Sequence, residues 1–307
     1  MKRVLTAAVL IPLVLLAVFR APLWLFALLI TVVVVLAIRE YLDILEAHGI
    51  QPFRRTTYAM CVIVVLGFWC AWDDRIWQYL LLIQAPWLFR AWEILLALPL
   101  IFGIPLVFRR ELRGGLAAAS ASAFGVIYIA ASLALLISLR NDWHSSVLVI
   151  FILLSVWVGD TAAYYVGRSL GRRKLAPVVS PNKTWEGTIA SVLASVLTAW
   201  LVFHFYLQIR GLFGQPSSAF YTPLSGASDR VAWGRVIVLG IVTNIAAQFG
   251  DLFESALKRG AQIKDSGSLL PGHGGVLDRI DALLFAIPAV WYYANLIGFL
   301  LPNPLDQ

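Results

Sequence analysis

The sequence predicts an all-α fold, a polytopic bundle of about nine transmembrane helices, and three observations support this prediction. The chain has 307 residues, of which 60% are hydrophobic and 13% charged, whereas soluble domains are nearer half apolar and a quarter charged. The mean hydropathy is +0.82. The apolar residues form blocks of about 16 residues or more, close to the length that a helix needs to cross a hydrocarbon core of roughly 30 Å.

The apolar blocks define the spans in order along the chain. The nine predicted spans are 4–19, 22–38, 57–72, 92–108, 114–139, 147–166, 187–207, 231–249 and 282–301. A further stretch, 76–89, carries Gln78, Gln84 and Pro86, and it could be a tenth span, a re-entrant segment or an interfacial helix. We expect one bundle, with N-terminal helices in 1–140 and C-terminal helices with the catalytic loops in 141–307.

The distribution of positive charge selects nine spans and sets their orientation. With a cytoplasmic N-terminus, 17 of the 24 Lys and Arg residues lie on the inner side, as the positive-inside rule requires. Counting 76–89 as a full span would move the basic cluster 109–113 to the outside or require another break in the spans. Under the nine-span topology, the first polar loop (167–186) and the second polar loop (250–281) both face the cytoplasm, where they can form one active site.

Other readings of the composition are weaker. The net charge of +7 does not indicate a nucleic-acid partner, because the basic residues lie in short loops between apolar blocks. Cys61 and Cys70 fall in one predicted helix, where they cannot form a disulfide. The apolar run after Lys2 and Arg3 resembles a signal peptide, but Arg20 stands where small residues should precede cleavage, which predicts a retained first helix.

The second polar loop brings acidic residues together at both of its ends. If the helix before it continues, Asp251, Glu254, Ser255 and Lys258 share one helix face, and Asp278 and Asp281 share a face at the start of the last span. Carboxylate oxygens of this kind suit Mg²⁺ that also binds substrate phosphates. The alternative is a solvated helix end in which the acids pair with nearby basic residues. The glycines favour a site, because they destabilise a loop unless the backbone approaches a ligand closely; they are Gly267, Gly272, Gly274 and Gly275.

Two further residues are candidates because of their surroundings. His273 lies between glycines and could position a phosphate or act as a base. A phosphate monoester has a second pKa of about 6 and needs no strong base, so we expect a positioning role. Asp160 lies late in an apolar span, and an acid at membrane depth is a functional candidate; the alternative is an interfacial residue that is simply hydrated.

The first polar loop contains the run Ser180-Pro181-Asn182-Lys183-Thr184-Trp185-Glu186-Gly187. Ser180 and Thr184 can open the following helix, whose N-terminal N–H groups and dipole favour anions. Lys183 adds a positive charge there. Glu186 could support Lys183 or help to hold a metal ion, and helix capping with positive-inside charge is the plainer alternative.

These residues resemble the integral-membrane phosphatidate cytidylyltransferases, also called CDP-diacylglycerol synthases. The family signature is matched in full from Ser255 to Asp281, and it includes the runs Lys258-Arg259, Lys264-Asp265, His273-Gly274-Gly275 and Asp278-Arg279-Ile280-Asp281. The segments 159–164, 180–187 and 250–255 resemble family segments in the right order. Together the resemblance covers about 157–288, whereas the first 140 residues resemble the family only as apolar helices.

The resemblance implies an enzyme of phospholipid biosynthesis that converts CTP and phosphatidate to CDP-diacylglycerol and pyrophosphate with Mg²⁺. A second metal or a monovalent cation could join the site, and the chain could form a homodimer. The compact length favours a bacterial inner membrane. The residues that we expect to bind the metal are Asp251, Asp278 and Asp281, with Asp160 and Asp265 as secondary candidates. Those expected to act on the phosphates or in catalysis are Lys183, Lys258, Arg259, Lys264, Asp265, His273 and Arg279. Those expected to contact the nucleotide are Ser180, Lys183, Thr184, Gly274 and Gly275.

Two rival functions make different predictions. A secondary transporter or channel would place charges near the bilayer midplane and show repeat-like halves, whereas here the charges gather at one face and the halves differ. A polyprenol kinase would share the CTP site but transfer the γ-phosphate rather than the cytidylyl group.

Overall fold

The computed structural model describes residues 12–73, 76, 78, 95–109, 112–141, 146–205, 233–267 and 274–300. Within these residues the chain is helical apart from one β-hairpin and the connections. The helices are α1 (Leu23–Ala47), α2 (Arg54–Trp72), α3 (Leu98–Val107), α4 (Gly115–Gly125), α5 (Ser132–Asn141), α6 (Ser146–Ser169), α7 (Trp185–His204), α8 (Trp233–Gly260) and α9 (Leu277–Leu300). A π-helical segment, Val126–Ala131, joins α4 to α5, and residues 12–19 are also helical.

Six of the described helical segments are long and apolar enough to cross a membrane. They are Leu23–Ala47, Arg54–Trp72, Gly115–Arg140, Val147–Ser169, Trp185–His204 and Trp233–Gly260. The chain is therefore an all-α polytopic membrane protein, as the sequence predicts. Two helices extend well beyond their predicted spans, α1 from residue 38 to Ala47 and α8 from residue 249 to Gly260. The polar residues that end an apolar run also favour helix, so hydropathy alone places these ends too early.

Some predictions fall outside the described residues. The stretch 76–89 lies almost wholly outside them, as do His273, Gly272 and the outer connection 208–230. The division of the chain at residue 140 and the count of nine spans stay predictions.

The structure divides into two compact units. The first unit comprises 1–17, 21–138 and 257–280. Its described core is formed by α1, α2 and the π-helical segment, which contact one another. Tyr41 of α1 is buried there, and its hydroxyl donates a hydrogen bond to the carbonyl oxygen of Ala121 at 2.9 Å. This unit contains most of the second polar loop.

The second unit comprises 18–20, 139–256 and 281–307. Helices α6 and α7 pack along each other, and α8 is bonded to α7 through Asn244. The Asn244 amide donates to the hydroxyls of Ser191 and Ser195, both at 2.8 Å. Buried polar groups need such partners, so this cluster fixes the register of α8 on α7.

The hairpin is the one departure from an all-helical structure in the described residues, and the sequence analysis did not predict it. Strand β1 (Lys174–Ala176) pairs antiparallel with β2 (Ser180–Thr184), with Lys174 opposite Thr184. Strands of three and five residues are too short to show the alternating pattern that identifies a strand. The hairpin contacts α6 and α7, and it carries the predicted nucleotide-binding residues of the first polar loop.

Candidate active site

The predicted site residues lie in both units. In the first unit, an ion pair joins the two ends of the second polar loop. The Lys258 ammonium, in the last turn of α8, donates a hydrogen bond to Oδ1 of Asp278, in the first turn of α9. The side chains are only 13% and 9% exposed. The loop is therefore closed by a largely buried salt bridge.

The second oxygen of Asp278 holds the backbone of the same loop. Its Oδ2 accepts the N–H groups of Ser266 at 3.0 Å and Gly275 at 2.8 Å. Gly274 lies between, with φ +78°, and a Cβ there would meet Asp278 Oδ2 at 2.8 Å. A left-handed backbone and this close approach both select glycine. Asp278 thus organises the loop as well as pairing with Lys258.

The surroundings of Asp278 lower the pKa of its carboxyl. Burial alone would raise that pKa, but the hydrogen bond from Lys258 and the N–H donors of Gly275 and Ser266 outweigh it. Donors and a nearby cation favour the charged form of an acid. Asp278 is therefore an anion at neutral pH, and it keeps the charge of Lys258 compensated.

Four further predicted site residues of this loop are open to solvent. Arg259, Lys264, Asp265 and Arg279 are exposed, whereas Gly275 is buried. Because these side chains are exposed, their positive charges are accessible to a soluble polyphosphate. They are suited to the phosphate-binding role that the sequence predicts.

In the second unit, Lys183 of β2 pairs with Asp251 of α8. The ammonium of Lys183 lies 2.6 Å from Asp251 Oδ2, and the side chains are 24% and 36% exposed. Ser255, one turn further along α8, donates its hydroxyl to Asp251 Oδ1 at 3.3 Å. The helix does continue past residue 249, so the predicted shared face of Asp251 and Ser255 is confirmed.

Two more acids lie near this pair. Asp160 of α6 is close enough to Asp251 and Lys183 to interact electrostatically with both. Asp281 is brought beside α8 by a close approach of two backbones, because a Cβ on Gly250 would meet the Asp281 carbonyl oxygen at 2.5 Å. The second unit thus brings Lys183 and Asp160 near Asp251 of α8, and it places the backbone of Asp281 against the same helix.

The hairpin sets the position of Lys183. Thr184 is the N-cap of α7, and its hydroxyl accepts the N–H of Gly187 at 3.2 Å, which confirms the predicted capping role. Ser180 instead lies at the start of β2. The carboxylate of Glu186 accepts the backbone N–H of Arg173 at 3.2 and 3.3 Å. Glu186 therefore fastens the beginning of the hairpin to α7.

The acidic residues match Mg²⁺ in the chemistry of their oxygen donors. Among the residues that the structure describes, no three acidic, histidine or cysteine side chains are grouped closely enough to form a metal centre. The Lys183 ammonium contacts one oxygen of Asp251, and the Lys258 ammonium contacts one oxygen of Asp278. Each ammonium occupies a position in which a cation is stabilised, and it would have to release that oxygen before a metal could bind there. The metal ligands stay a prediction.

One residue in contact with the second polar loop was missed by the sequence analysis. Glu40 of α1 accepts hydrogen bonds from Ser266, Val276 and Leu277. The predicted span ends at residue 38, so Glu40 falls outside it and no role is predicted for it. The only sequence feature that marks it is its position just after the apolar run that ends at Ile38.

The chain matches the family model described as "Cytidylyltransferase family" over residues 1–297. The chain belongs to this family. The resemblance inferred from the signature is thereby confirmed, and the cytidylyltransferase match also includes the first 140 residues, where sequence inspection found only apolar helices.

Individual relatives carry a more specific name. Proteins named "Phosphatidate cytidylyltransferase" are 39% identical over 154 residues in Haemophilus influenzae, 35% over 173 residues in Bacillus subtilis and 29% over 311 residues in Synechocystis sp.. These matches cover 50%, 56% and 91% of this cytidylyltransferase-family chain. They cover 48%, 56% and 92% of the relatives, so the chain spans about half the length of the first two.

Proposed function

We propose that the protein transfers a cytidylyl group from CTP to phosphatidate, giving CDP-diacylglycerol and pyrophosphate. The observation that carries the proposal is the complete signature from Ser255 to Asp281 in a chain of the cytidylyltransferase family. The loop that contains this signature is held by a buried ion pair and presents exposed cations, which suits a polyphosphate substrate.

The reaction is an in-line displacement at phosphorus. A phosphate oxygen of phosphatidate forms a bond to the α-phosphorus of CTP, and the bond from that phosphorus to the oxygen bridging the β-phosphate breaks. The bridging oxygen leaves with pyrophosphate. The attacking phosphate monoester is largely dianionic at neutral pH, so the proposal gives His273 a positioning role.

The positive residues bind and orient the phosphates. Arg259, Lys264 and Arg279 are exposed and would neutralise the triphosphate of CTP. Lys183, at the N-terminal end of α7, would add its charge to a helix dipole that already favours anions. Lys258 is anchored by Asp278, so its ammonium can be directed at a phosphate with little loss of side-chain entropy.

Magnesium is part of the proposal. Asp251, Asp281, Asp160 and Asp278 would hold it, and bound Mg²⁺ supplies charge stabilisation to the phosphate oxygens. A second metal or a monovalent cation, a homodimer and the absence of a nucleic-acid partner stay predictions of the resemblance.

The finer topology also belongs to the proposal. We infer nine spans in a bacterial inner membrane, with the N-terminus and both polar loops on the cytoplasmic side. The basic residues of the polar loops support this orientation through the positive-inside rule. It would let CTP enter from water while phosphatidate arrives within the bilayer, which spares the acyl chains a cost of about 0.8 kcal/mol for each methylene exposed.

Placement of a radiolabel tests the proposed function directly. Purified protein in detergent is incubated with phosphatidate, Mg²⁺ and CTP labelled at either the α- or the γ-phosphate. We expect the α-label to enter the lipid fraction and the γ-label to appear in pyrophosphate. Transfer of the γ-label to lipid would instead show a kinase, and no labelled lipid from phosphatidate would reject the assignment.

A further inference from the structure

Glu40 is a buried acidic residue of the first unit to which the proposed reaction gives no role. It lies near the C-terminal end of α1, and only 2% of the residue is exposed. Burying a carboxylate is costly unless hydrogen bonds replace its water. The hydrogen-bond partners of Glu40 therefore indicate its role.

Three hydrogen-bond donors to Glu40, among the described residues, belong to the second polar loop. The N–H of Val276 donates to Oε1 at 2.9 Å, while the hydroxyl of Ser266 and the N–H of Leu277 donate to Oε2, both at 2.8 Å. The N–H groups that begin a helix have no partner inside it. Glu40 thus supplies, from α1, an anionic cap for the start of α9, and bonds to a charged acceptor are stronger than neutral ones.

Two glycines of the loop leave space for the side chain of Glu40. A Cβ on Gly267 would lie 2.6 Å from Glu40 Oε1, and a Cβ on Gly275 would overlap Glu40 Oε2 and the Ser266 hydroxyl. A side chain at either position would therefore displace the carboxylate. The sequence suggests that the loop glycines let the backbone approach a ligand closely. At Gly267 and Gly275 the group that the backbone approaches is the carboxylate of Glu40.

Ser266 links Glu40 to the ion pair at the ends of the loop. Its hydroxyl donates to Glu40, and its backbone N–H donates to Asp278 at 3.0 Å. Asp278 in turn accepts from Lys258. Hydrogen-bonded networks of this kind fix several side chains together. Ser266 also follows directly after the exposed residues Lys264 and Asp265.

We propose that Glu40 is a positioning residue for cytidylyl transfer, which holds the second polar loop so that Lys258 and Lys264 are correctly placed for the phosphates. This inference rests on the proposed function. Glu40 does not itself touch a substrate. Its effect is on geometry, and a misplacement of about 1 Å at a reacting centre can cost about 100-fold in rate.

The test compares Glu40→Gln with Glu46→Gln in the CTP and phosphatidate assay. Glutamine keeps the size of the side chain but presents an N–H group to backbone donors. Glu46 lies on the same helix, is 49% exposed and pairs with Arg54, so its variant is a matched control. For Glu40→Gln we expect kcat to fall about 30- to 100-fold while KM for CTP changes less than about threefold, and for Glu46→Gln neither should change.

A second variant, Ser266→Ala, keeps the test decisive if Glu40→Gln does not fold. It removes one hydrogen bond worth about 1 kcal/mol, so we expect about a fivefold loss of kcat. The double variant should lose little more than Glu40→Gln alone, because Ser266 acts through Glu40.

Three outcomes are informative. Unchanged kcat per folded molecule in Ser266→Ala and in any folded Glu40→Gln protein would overturn the positioning role. A loss of activity that only follows the loss of folded protein would overturn it too, since that is a purely structural effect. If wild type and Glu46→Gln both fail to form the cytidylylated lipid, the proposed function itself fails, and the role of Glu40 falls with it.

Discussion

Of the two described ion pairs between predicted site residues, the pair between Lys258 and Asp278 is the more buried. The side chains are 13% and 9% exposed, compared with 34% and 50% for the pair between Arg54 and Asp43. Removing one partner of a buried pair leaves an uncompensated charge, and this costs more than the loss of an exposed pair. The two pairs therefore give a controlled comparison.

We expect Asp278→Asn to lower the free energy of unfolding by about 3 kcal/mol, because Lys258 loses its anion and two backbone N–H groups lose a charged acceptor. Asp43→Asn should cost less than about 1 kcal/mol. Chemical denaturation in detergent measures both. Equal losses in the two variants would mean that burial of the pair between Lys258 and Asp278 does not increase its contribution to the free energy of unfolding.

The pH dependence of the stability difference between wild type and Asp278→Asn tests whether the charge of the Asp278 carboxylate is its cause. The folded protein lowers the pKa of Asp278 below the unfolded value of about 3.9. Its contribution to stability is therefore present in full above that unfolded pKa and is lost as the pH falls through the folded pKa. The difference between wild type and Asp278→Asn should be constant from about pH 8 to pH 5 and should shrink below about pH 4. A difference that stays constant at low pH would exclude the carboxylate charge as its source.

At the level of single residues, the sequence identified groups that act locally and missed one that acts at long range. Ser255 and Asp251 are four residues apart and bond as the helical repeat predicts. Thr184 caps the helix that follows it. Glu40 meets its partners 226 and more residues away, and no local pattern in one sequence encodes such a contact.

Among the elements, long apolar helices were predictable and the short hairpin was not. Hydropathy located α1, α2, α6, α7 and α8, because about 20 apolar residues leave few alternatives. It could not locate the ends of α1 and α8, which depend on tertiary contacts made by polar residues. The strands of the hairpin are stabilised by pairing with each other, and this pairing is a property of the folded chain.

The crossing of α8 and α9 depends on Gly250, and a substitution there tests it. A Cβ at Gly250 would meet backbone atoms of Asp281 and Ala282, at 2.5 and 3.1 Å, and backbone cannot move aside as a flexible side chain can. We expect Gly250→Ala to lower the free energy of unfolding by about 1–3 kcal/mol. We also expect it to reduce the proposed cytidylyl transfer about tenfold, because it would push the backbone of Asp281 away from α8, the helix that carries Asp251.

Gly234→Ala is the matched control, since it lies in the same helix with nothing within 4 Å of its Cβ position. Alanine is the better helix former by up to about 1 kcal/mol, so this variant should be neutral or slightly more stable. Thermal unfolding and activity, measured on both variants, test whether the close approach at Gly250 is required. A Gly250→Ala protein as stable and active as Gly234→Ala would show that α8 and α9 do not need this close approach.

For the whole molecule, the orientation in the membrane determines whether soluble CTP can reach the polar loops. The second polar loop presents exposed Arg259 and Lys264, and the first presents exposed Arg172, Arg173 and Lys174. Translocating clusters of basic residues across a membrane is disfavoured. The same physical effect therefore predicts that both loops remain on the cytoplasmic side.

Cysteine labelling on two sides of α7 tests this orientation. Val178, in the hairpin, is 90% exposed, and Phe205, at the other end of α7, is 46% exposed. With a membrane-impermeant maleimide, Val178→Cys should react in inverted membrane vesicles and Phe205→Cys in right-side-out vesicles. Wild-type protein is the background control, because Cys61 and Cys70 are both buried. The reverse labelling pattern would place the polar loops on the non-cytoplasmic side, away from cytoplasmic CTP, the proposed substrate.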